Sequence, residues 1–379
     1  MRRFFTVPLV CGLVAACVTL VTQMVSRRPS FHPSLLLNVA DSDPLSALVA
    51  GLDPSFQFTV ASDHYDGVYF LAMALDPFAL GQAHDLIDLA AYRYGHPFYS
   101  WVASVLSFGQ PAALPWVFWG LSVLSMAAAA YSVALLATRL GASPWLGLTV
   151  SFSPGLLFSA STALTEPFQL ALITALLVVW LRSRTNPLIL AALVVALCLT
   201  KEQLVLVPVA LGLTLLPGIV KERRIPWLRV APLLAGPLSL GSWLWYARGR
   251  FSSEQSTYDS GNLGVPFAGW LNTFDLAGAL RVSDFHASQI GSTAVPGLMA
   301  TAALVVAGAI VGFLRRDPLG WTVVFQAALI STLGWRTLLY PHEMFRIPSV
   351  AALLAALLLG VHLSRHKEPR QAVPTVGTG

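Results

Sequence analysis

Two aspartates and a histidine fall within four consecutive positions of the stretch SDHYDGVYF, residues 62–70, in a chain that otherwise carries few charges. A carboxylate can take a proton from an attacking hydroxyl group, and it can also ligate a divalent cation. Asp63 and Asp66 are therefore candidate catalytic or metal-binding residues. The alternative is that they cap a helix or lie in a solvated loop, since aspartate favours helix starts.

A second set of ionisable residues lies at the predicted ends of apolar segments. Its members are Glu166 in TALTEPF, Lys201 and Glu202 in LTKEQL, and His342, Glu343 and Arg346 in YPHEMFRIP. A charged side chain in the middle of a membrane helix costs about 2.5–3.5 kcal/mol, so such residues often indicate a site or a water-filled cavity. We therefore expect these side chains to bind a substrate.

Each of these residues also has an ordinary structural interpretation. Glu166 precedes Pro167, an arrangement that suits the first turn of a helix, where a carboxylate also matches the helix dipole. Lys201 and Glu202 can pair with each other at the membrane interface. Arg346 can be a boundary arginine that pairs with a neighbouring carboxylate.

The composition indicates a membrane protein of several spans. Of 379 residues, 56% are hydrophobic and only 11% are charged, against about 25% charged residues in a soluble domain. The net charge of +5 does not indicate a nucleic-acid partner, because the basic residues are sorted along the chain by predicted membrane side. The three cysteines form no metal or disulfide pattern, and no phosphate-binding glycine loop is present.

Hydropathy predicts an all-α polytopic fold with about ten membrane spans in a single transmembrane domain over residues 1–363. The predicted spans are roughly 4–25, 112–138, 144–161, 166–181, 187–200, 203–219, 228–246, 295–314, 319–339 and 346–363. Two long outer loops, 26–111 and 247–294, separate some of them, and residues 364–379 are expected to form a disordered cytoplasmic tail. Within the first loop, residues 97–108 have an amphipathic pattern that predicts a helix lying in the membrane interface.

The loop charges predict an orientation. With the amino terminus in the cytoplasm, the cytoplasmic side receives 14 of the 23 basic residues and only three of the 18 acidic ones, as the positive-inside rule requires. Both termini are then cytoplasmic, in the cytoplasmic membrane. The candidate chemistry faces outward, and every polar residue of the second set lies on that same outer side.

Four stretches resemble bacterial integral-membrane glycosyltransferases of the GT-C class. They are YDGVYFLAMALDP (65–77), AYRYGHPFYSWVASVLSFG (91–109), SPGLLFSASTALTEPFQLAL (153–172) and LCLTKEQ (197–203). Their order and approximate spacing are similar to those of the family over residues 65–203, a little over a third of the chain. The chain departs from the family pattern at Gly95 and His96, where a basic residue is more usual, and this weakens a phosphate-binding role for that stretch.

The resemblance implies transfer of a sugar from a polyprenyl-phosphate carrier to an envelope glycan, lipid or protein acceptor on the outer face, usually with inversion. It assigns the general base or metal ligand to Asp66, with Asp63 second. Five further residues match the other family motifs: Tyr92, Arg93, Glu166, Lys201 and Glu202. A divalent cation, Mg²⁺ or Mn²⁺, is the one cofactor that this interpretation leaves open.

The chemistry of such a donor sets further expectations. A lipid phosphate needs cations, which Arg93, Lys201 and Arg346 can supply. Its prenyl chain needs an apolar groove, for which the candidates are Phe70, Phe98, Trp101 and Phe108.

Two functions from other classes stay open at this stage. A secondary transporter or flippase of lipid-linked sugars is the main alternative, although such proteins place their polar site near the bilayer midplane in repeated halves. A non-catalytic assembly subunit for envelope polymers is the other.

Overall fold

A computed structural model describes residues 2–27, 29–183, 185–251, 263–279, 294–334, 337–338 and 341–367 of the chain. The side chains of residues 2–5, 274–279, 294–295, 341–342 and 366–367 fall outside that description. Most of the predicted second outer loop, 247–294, and residues 368–379 of the predicted tail also lie outside the described residues. Residues 364–367, the first of that predicted tail, continue the last helix. They are helical, whereas the sequence predicts disorder there.

The described residues are α-helical and 3₁₀-helical, with two isolated β-bridges, Ala40 with Thr59 and Leu263 with Leu333. The α-helices are α1 Arg2–Ser26, α2 Pro44–Leu52, α3 Gly67–Leu75, α4 Ala90–Arg93, α5 Phe98–Leu106, α6 Leu114–Arg139, α7 Leu148–Ser151, α8 Pro154–Ser161, α9 Glu166–Trp180, α10 Pro187–Thr200, α11 Leu206–Leu213, α12 Leu216–Glu222, α13 Trp227–Arg250, α14 Ala268–Ala279, α15 Ala294–Arg315, α16 Pro318–Ser331, α17 Pro341–Arg346 and α18 Ser349–Lys367. The 3₁₀ segments are Pro33–Leu37, Ala61–Asp63, Ala83–Leu86, Pro111–Ala113, Pro144–Gly147 and Glu202–Val205.

Five described helical segments are long and apolar enough to cross a membrane. They are Thr6–Ser26, Pro111–Arg139, Glu202–Glu222, Pro296–Arg315 and Glu343–Arg365. Each overlaps one of the spans predicted from hydropathy. The all-α class and the membrane character of the chain are therefore confirmed.

The prediction of about ten spans is wrong for the described part of the chain, which holds five candidate spans, or six if a bent helix pair counts as one. Helices α10 and α16 have 14 residues each, short of the roughly 20 that a bilayer core requires. Helix α13 has 24 residues but falls outside the candidate spans. Prolines and glycines within it dilute its apolar character.

The bent pair consists of α8 and α9, which meet at an angle of 118°. Ala163, between them, has a φ of 53°, in the left-handed region that ends a right-handed helix. Pro167 follows in the first turn of α9, where its missing N–H removes no helical hydrogen bond. The predicted spans 144–161 and 166–181 are therefore a broken segment, with Glu166 at the break.

The segment predicted to be the first outer loop is folded, and its packing fixes the position of Asp66. Helix α3 is buried from Gly67 to Ala74, and a Cβ atom at Gly67 would lie 2.6 Å from the carbonyl oxygen of Leu37. This close backbone contact admits only glycine and sets the direction in which α3 begins. The residue just before it, Asp66, is held in place as a result.

The predicted interfacial helix over 97–108 corresponds to α5, whose Tyr99 and Ala103 are buried while Val105 is 72% exposed. Its position in a membrane interface stays a prediction. The four aromatic residues proposed to form one apolar groove do not line a common surface. Phe70 is a core residue with 6% exposure, whereas Phe108 is 89% exposed, because the buried face of α5 turns toward α3 and the loop after it turns away.

The carboxyl-terminal helices pack through glycine contacts. A Cβ atom at Gly308 in α15 would lie 2.4 Å from the Cβ atom of Ala355 in α18, and one at Gly312 would lie 2.5 Å from the carbonyl oxygen of Gly320. Small residues let membrane helices approach closely. The Gly308-x-x-x-Gly312 motif thus packs within this chain.

We expect Gly308→Ala to lower the thermal unfolding temperature of the detergent-solubilised protein, because overpacking a close helix contact costs about 1–3 kcal/mol. Gly212→Ala is the matched control, since Gly212 also lies in a helix and a Cβ atom there would meet no neighbour within 4 Å. Equal unfolding temperatures for the two variants would contradict the assigned contact.

Candidate functional site

Asp66 precedes helix α3 in the position of a helix cap, but its side chain makes no capping hydrogen bond. Its two carboxylate oxygens instead face two guanidinium groups. Oδ1 lies 3.3 Å from Nη1 of Arg93, and Oδ2 lies 3.1 Å from Nη1 of Arg346. The structural interpretation of Asp66 as an ordinary cap is therefore wrong.

Arg346 joins three segments of the chain that are far apart in sequence. Besides Asp66, its guanidinium contacts Oε2 of Glu343 at 2.7 Å and Oε1 of Glu166 at 3.5 Å. Its side chain is only 9% exposed, so these carboxylates replace water around the charge. The hydroxyl group of Tyr65 donates a hydrogen bond to Glu343 and extends the network.

Arg93 closes the other side of Asp66. Its guanidinium carbon lies 3.5 Å from the centre of the Tyr69 ring, a cation–π contact, and its Nη2 lies 3.5 Å from Oδ1 of Asp88. Leu89, just before α4, has a φ of 49°. This left-handed turn starts the short helix that presents Arg93.

Lys201 and Glu202 lie where α10 ends, and Lys201 itself has extended backbone angles. No salt bridge joins the two side chains within the described ranges, so mutual pairing does not account for them. Glu202 lies 3.4 Å from Nδ1 of His96, while Lys201 is close enough to Asp66 and Tyr92 to act on them electrostatically. The ring of Tyr92 packs edge-on against His96.

The charges around Asp66 and Lys201 keep both side chains ionised. Burial opposes ionisation of Asp66, but Arg346, Arg93 and Lys201 outweigh it and hold the pKa of the carboxyl below its ordinary value. Burial likewise disfavours the charged form of Lys201. The neighbouring Tyr92, Glu202 and Glu166 outweigh that effect and raise the pKa of the ammonium group.

Two predicted site residues do not join this network. The Asp63 side chain is exposed, and its carboxylate contacts the neighbouring Ser62 hydroxyl group at 3.4 Å. Asp63 ends a separate 3₁₀ turn. Its side chain is therefore directed away from that of Asp66, although only three positions separate the two residues. His342 lies in α17, but its side chain is outside the described residues.

The residues of this site do not fit a bound divalent metal. In the part of the chain that the structure describes, no group of three or more histidine, cysteine, aspartate or glutamate side chains is arranged to hold one. Both oxygens of Asp66 face guanidinium groups, and Asp63 lies apart. The described residues therefore do not support the suggested Mg²⁺ or Mn²⁺ site.

No role is predicted from the sequence for three side chains of the network: Tyr65, Tyr69 and His96. The two tyrosines flank Asp66 in the same short stretch, and aromatic faces are frequent partners of arginine. His96 appeared only as a departure from a family pattern. Its contact with Glu202 joins segments more than a hundred positions apart, and no local pattern indicates such a pairing.

Unpaired polar atoms concentrate in the site. Eleven buried side-chain nitrogen and oxygen atoms in the described ranges lack a hydrogen-bond partner. Two of them, Nε of Arg93 and Oε2 of Glu166, lie in this cluster without an ion-pair contact of their own. Nδ1 of His96, Oε2 of Glu202 and Nε of Arg346 also lack a hydrogen bond, but they make the longer ion-pair contacts given above. Buried polar groups are normally hydrogen-bonded, so this set of donors and acceptors suits a polar ligand.

We expect Arg346→Gln to destabilise the protein by about 3–5 kcal/mol, because it leaves three carboxylates without their shared counter-charge. Chemical unfolding in detergent measures this. The additional change Glu343→Gln removes one of those carboxylates and should recover part of the loss. Arg365→Gln, at an exposed position, is the control and should have little effect. A double variant no more stable than Arg346→Gln alone would contradict the shared pairing.

Burial of His96 predicts a dependence of stability on pH. Burial first, and then the charge of Lys201, lower the pKa of the imidazole below its ordinary value. Below about pH 6.5 the unfolded chain takes up this proton before the folded chain does. The free energy of unfolding should therefore fall between about pH 7 and pH 5, and His96→Asn should flatten that slope. Identical slopes for the two proteins would exclude this role.

Comparisons of the chain with protein-family models, with curated proteins and with solved structures found no match.

Proposed function

We propose that this protein is a membrane glycosyltransferase in which Asp66 is the general base. The observation that carries the proposal is the position of Asp66 between two arginines from distant segments. A carboxylate that serves only folding needs no such convergence, since a helix cap or a single partner would satisfy it. The donor is a sugar linked to a polyprenyl phosphate, and the acceptor is an envelope glycan, lipid or protein.

Three cations can receive the phosphate of such a donor. Arg93 has an unpaired Nε atom, Nε of Arg346 has only a 3.5 Å contact with Glu166, and Lys201 forms no salt bridge with the described side chains. Arginine binds phosphate through two parallel hydrogen bonds and lysine acts as a point charge. The unpaired Oε2 atom of Glu166 can accept a hydrogen bond from a sugar hydroxyl group.

Carboxylates outnumber cations in this site, so the phosphate must compete for its arginines. At Arg346 the phosphate displaces Asp66 more readily than Glu343, because the Asp66 contact of 3.1 Å is longer than the 2.7 Å contact of Glu343. A phosphate that displaces Asp66 frees the carboxylate and adds a negative charge beside it. Both effects raise the affinity of Asp66 for a proton. Donor binding thereby converts a neutralised carboxylate into a base.

The transfer step then balances as follows. An acceptor hydroxyl oxygen forms a bond to the anomeric carbon, and its proton passes to Asp66. The bond between that carbon and the phosphate oxygen breaks, and the polyprenyl phosphate leaves with the electron pair. The cations stabilise the charge that develops on the leaving oxygen. Attack opposite the leaving group inverts the sugar configuration.

The sorted loop charges support an orientation for this reaction in the cytoplasmic membrane. Both termini are cytoplasmic, and the site opens on the outer face, where a polyprenyl carrier presents its sugar from the surrounding lipid. No nucleic acid takes part.

A transport function is the second candidate, and one observation favours it. The α8–α9 pair is bent by 118°, and interrupted helices of this kind form substrate sites in transporters. Glu166 lies at the break. A flippase of lipid-linked sugars would use the same cations to bind phosphate and would leave the glycosidic bond intact.

We expect Asp66→Asn to lower sugar transfer by at least about a hundredfold, because the amide cannot accept the proton. The assay supplies purified protein in lipid vesicles with labelled polyprenyl-phosphate sugars and a membrane extract as acceptor source. Asp63→Asn is the matched control and should transfer at the wild-type rate, since Asp63 is exposed and outside the network.

Equal transfer by wild type and Asp66→Asn would contradict the catalytic assignment. Movement of the intact labelled lipid across the vesicle membrane, without transfer, would favour the transport function instead.

A further inference from the structure

A cavity of about 490 Å³ lies at the end of α9 opposite the candidate site. Its wall consists of Arg139, the last residue of α6, and Leu140, together with Leu181, Arg182 and Ser183 after α9. Glu166 begins α9, and this helix has 15 residues. At 1.5 Å per residue the cavity is therefore about 22 Å from Glu166, too far for the two sites to share a ligand headgroup.

The cavity is positively charged. Arg139 donates a hydrogen bond to the carbonyl oxygen of Val178, which fixes its guanidinium at the wall, and Arg182 lies within electrostatic range of it. Among the residues that the structure describes, no acidic side chain lines the cavity. Arg229 adds a third positive charge nearby, since its guanidinium lies 5.4 Å from the ring centre of Trp180 at the end of α9. Such a cluster attracts an anion.

Apolar side chains belong to the cavity wall and to the chain that follows it. Leu140 and Leu181 contribute to the wall, and α10, which begins four positions after Ser183, has Leu188 and Ile189 76% and 48% exposed. A free anion has no use for this apolar surface, whereas the acyl chains of a lipid would cover it. Basic pockets between membrane helices bind phosphate headgroups of anionic lipids in this way.

We propose that this cavity binds the phosphate headgroup of an anionic phospholipid. The phosphate lies between Arg139 and Arg182, and the Ser183 hydroxyl group can donate to it. The acyl chains lie along the start of α10. The bound lipid links the ends of α6 and α9 at the membrane face opposite Asp66. This site is independent of the proposed transfer reaction, so either can fail without the other.

The test measures lipid retention by the full-length protein, purified from membranes of equal phosphatidylglycerol and phosphatidylcholine content, by native mass spectrometry. Wild type should retain phosphatidylglycerol in preference. Arg182→Gln should lower that preference about fivefold, the factor that one interfacial arginine typically contributes. Ser183→Asp places a negative charge in the cavity and should lower it further, whereas Arg182→Lys keeps the charge and most of the preference.

Arg365→Gln is the control for general surface charge, because Arg365 is an exposed arginine at the end of another membrane helix. It should retain lipid as wild type does. An equal loss in Arg365→Gln and Arg182→Gln would overturn the proposal in favour of diffuse surface attraction. Displacement of phosphatidylglycerol by millimolar inorganic phosphate would also overturn it, since the cavity would then be a site for free anions.

Discussion

The pairing of the Arg346 guanidinium with three carboxylates constrains the whole arrangement of the site. These carboxylates come from the segment that precedes α3, from the break between α8 and α9, and from the helix of Arg346 itself. None of these charges can be stable alone in a site that excludes most water, because an unpaired buried charge costs several kcal/mol. The three segments must therefore come together for any of them to be buried. Their convergence is at once a folding constraint and the source of the candidate site.

In this arrangement the negative charge of Asp66 is compensated by two arginines before any ligand binds. A carboxylate held by two guanidiniums is a poor base, since its charged form is already stabilised. This is consistent with a reaction in which the anionic donor itself changes the pairing. A site that becomes basic only when its donor is bound protects the acceptor and the carrier from unproductive proton transfer. In the proposed reaction, the unpaired atoms of Glu166 and Arg93 would find partners in the ligand.

Rigid surroundings make such an exchange possible. Gly67 packs on the backbone of Leu37 and α3 is buried along most of its length, so Asp66 starts from a fixed position. The ring of Tyr69 contacts the Arg93 guanidinium through a cation–π interaction and so holds it in position. The opposite end of α9 has a different character, with arginines at the ends of α6 and α9 and no acidic residue among the described residues of the cavity wall. The proposed lipid contacts there would hold α9 without disturbing the end at which Glu166 lies.

The membrane character of the chain, its five candidate spans and most of the charged residues that meet around Asp66 could be predicted from the amino-acid sequence alone. Hydropathy and the cost of burying charge act locally along the chain, so both can be evaluated residue by residue. The remaining predicted spans were too numerous, because proline, glycine and a left-handed residue break apolar segments that look continuous by composition. The break before Glu166 is the clearest case.

Which of these charges form ion pairs could be seen only in the tertiary structure. It separated Asp63 from Asp66 although three positions divide them, and it joined His96 to Glu202 and Asp66 to Arg346 across long stretches of chain. It also turned Phe70 into the core and Phe108 to the surface, which the apolar character of both could not distinguish. Ion pairs and packing depend on distances in space, and a hydropathy profile carries no information on those distances.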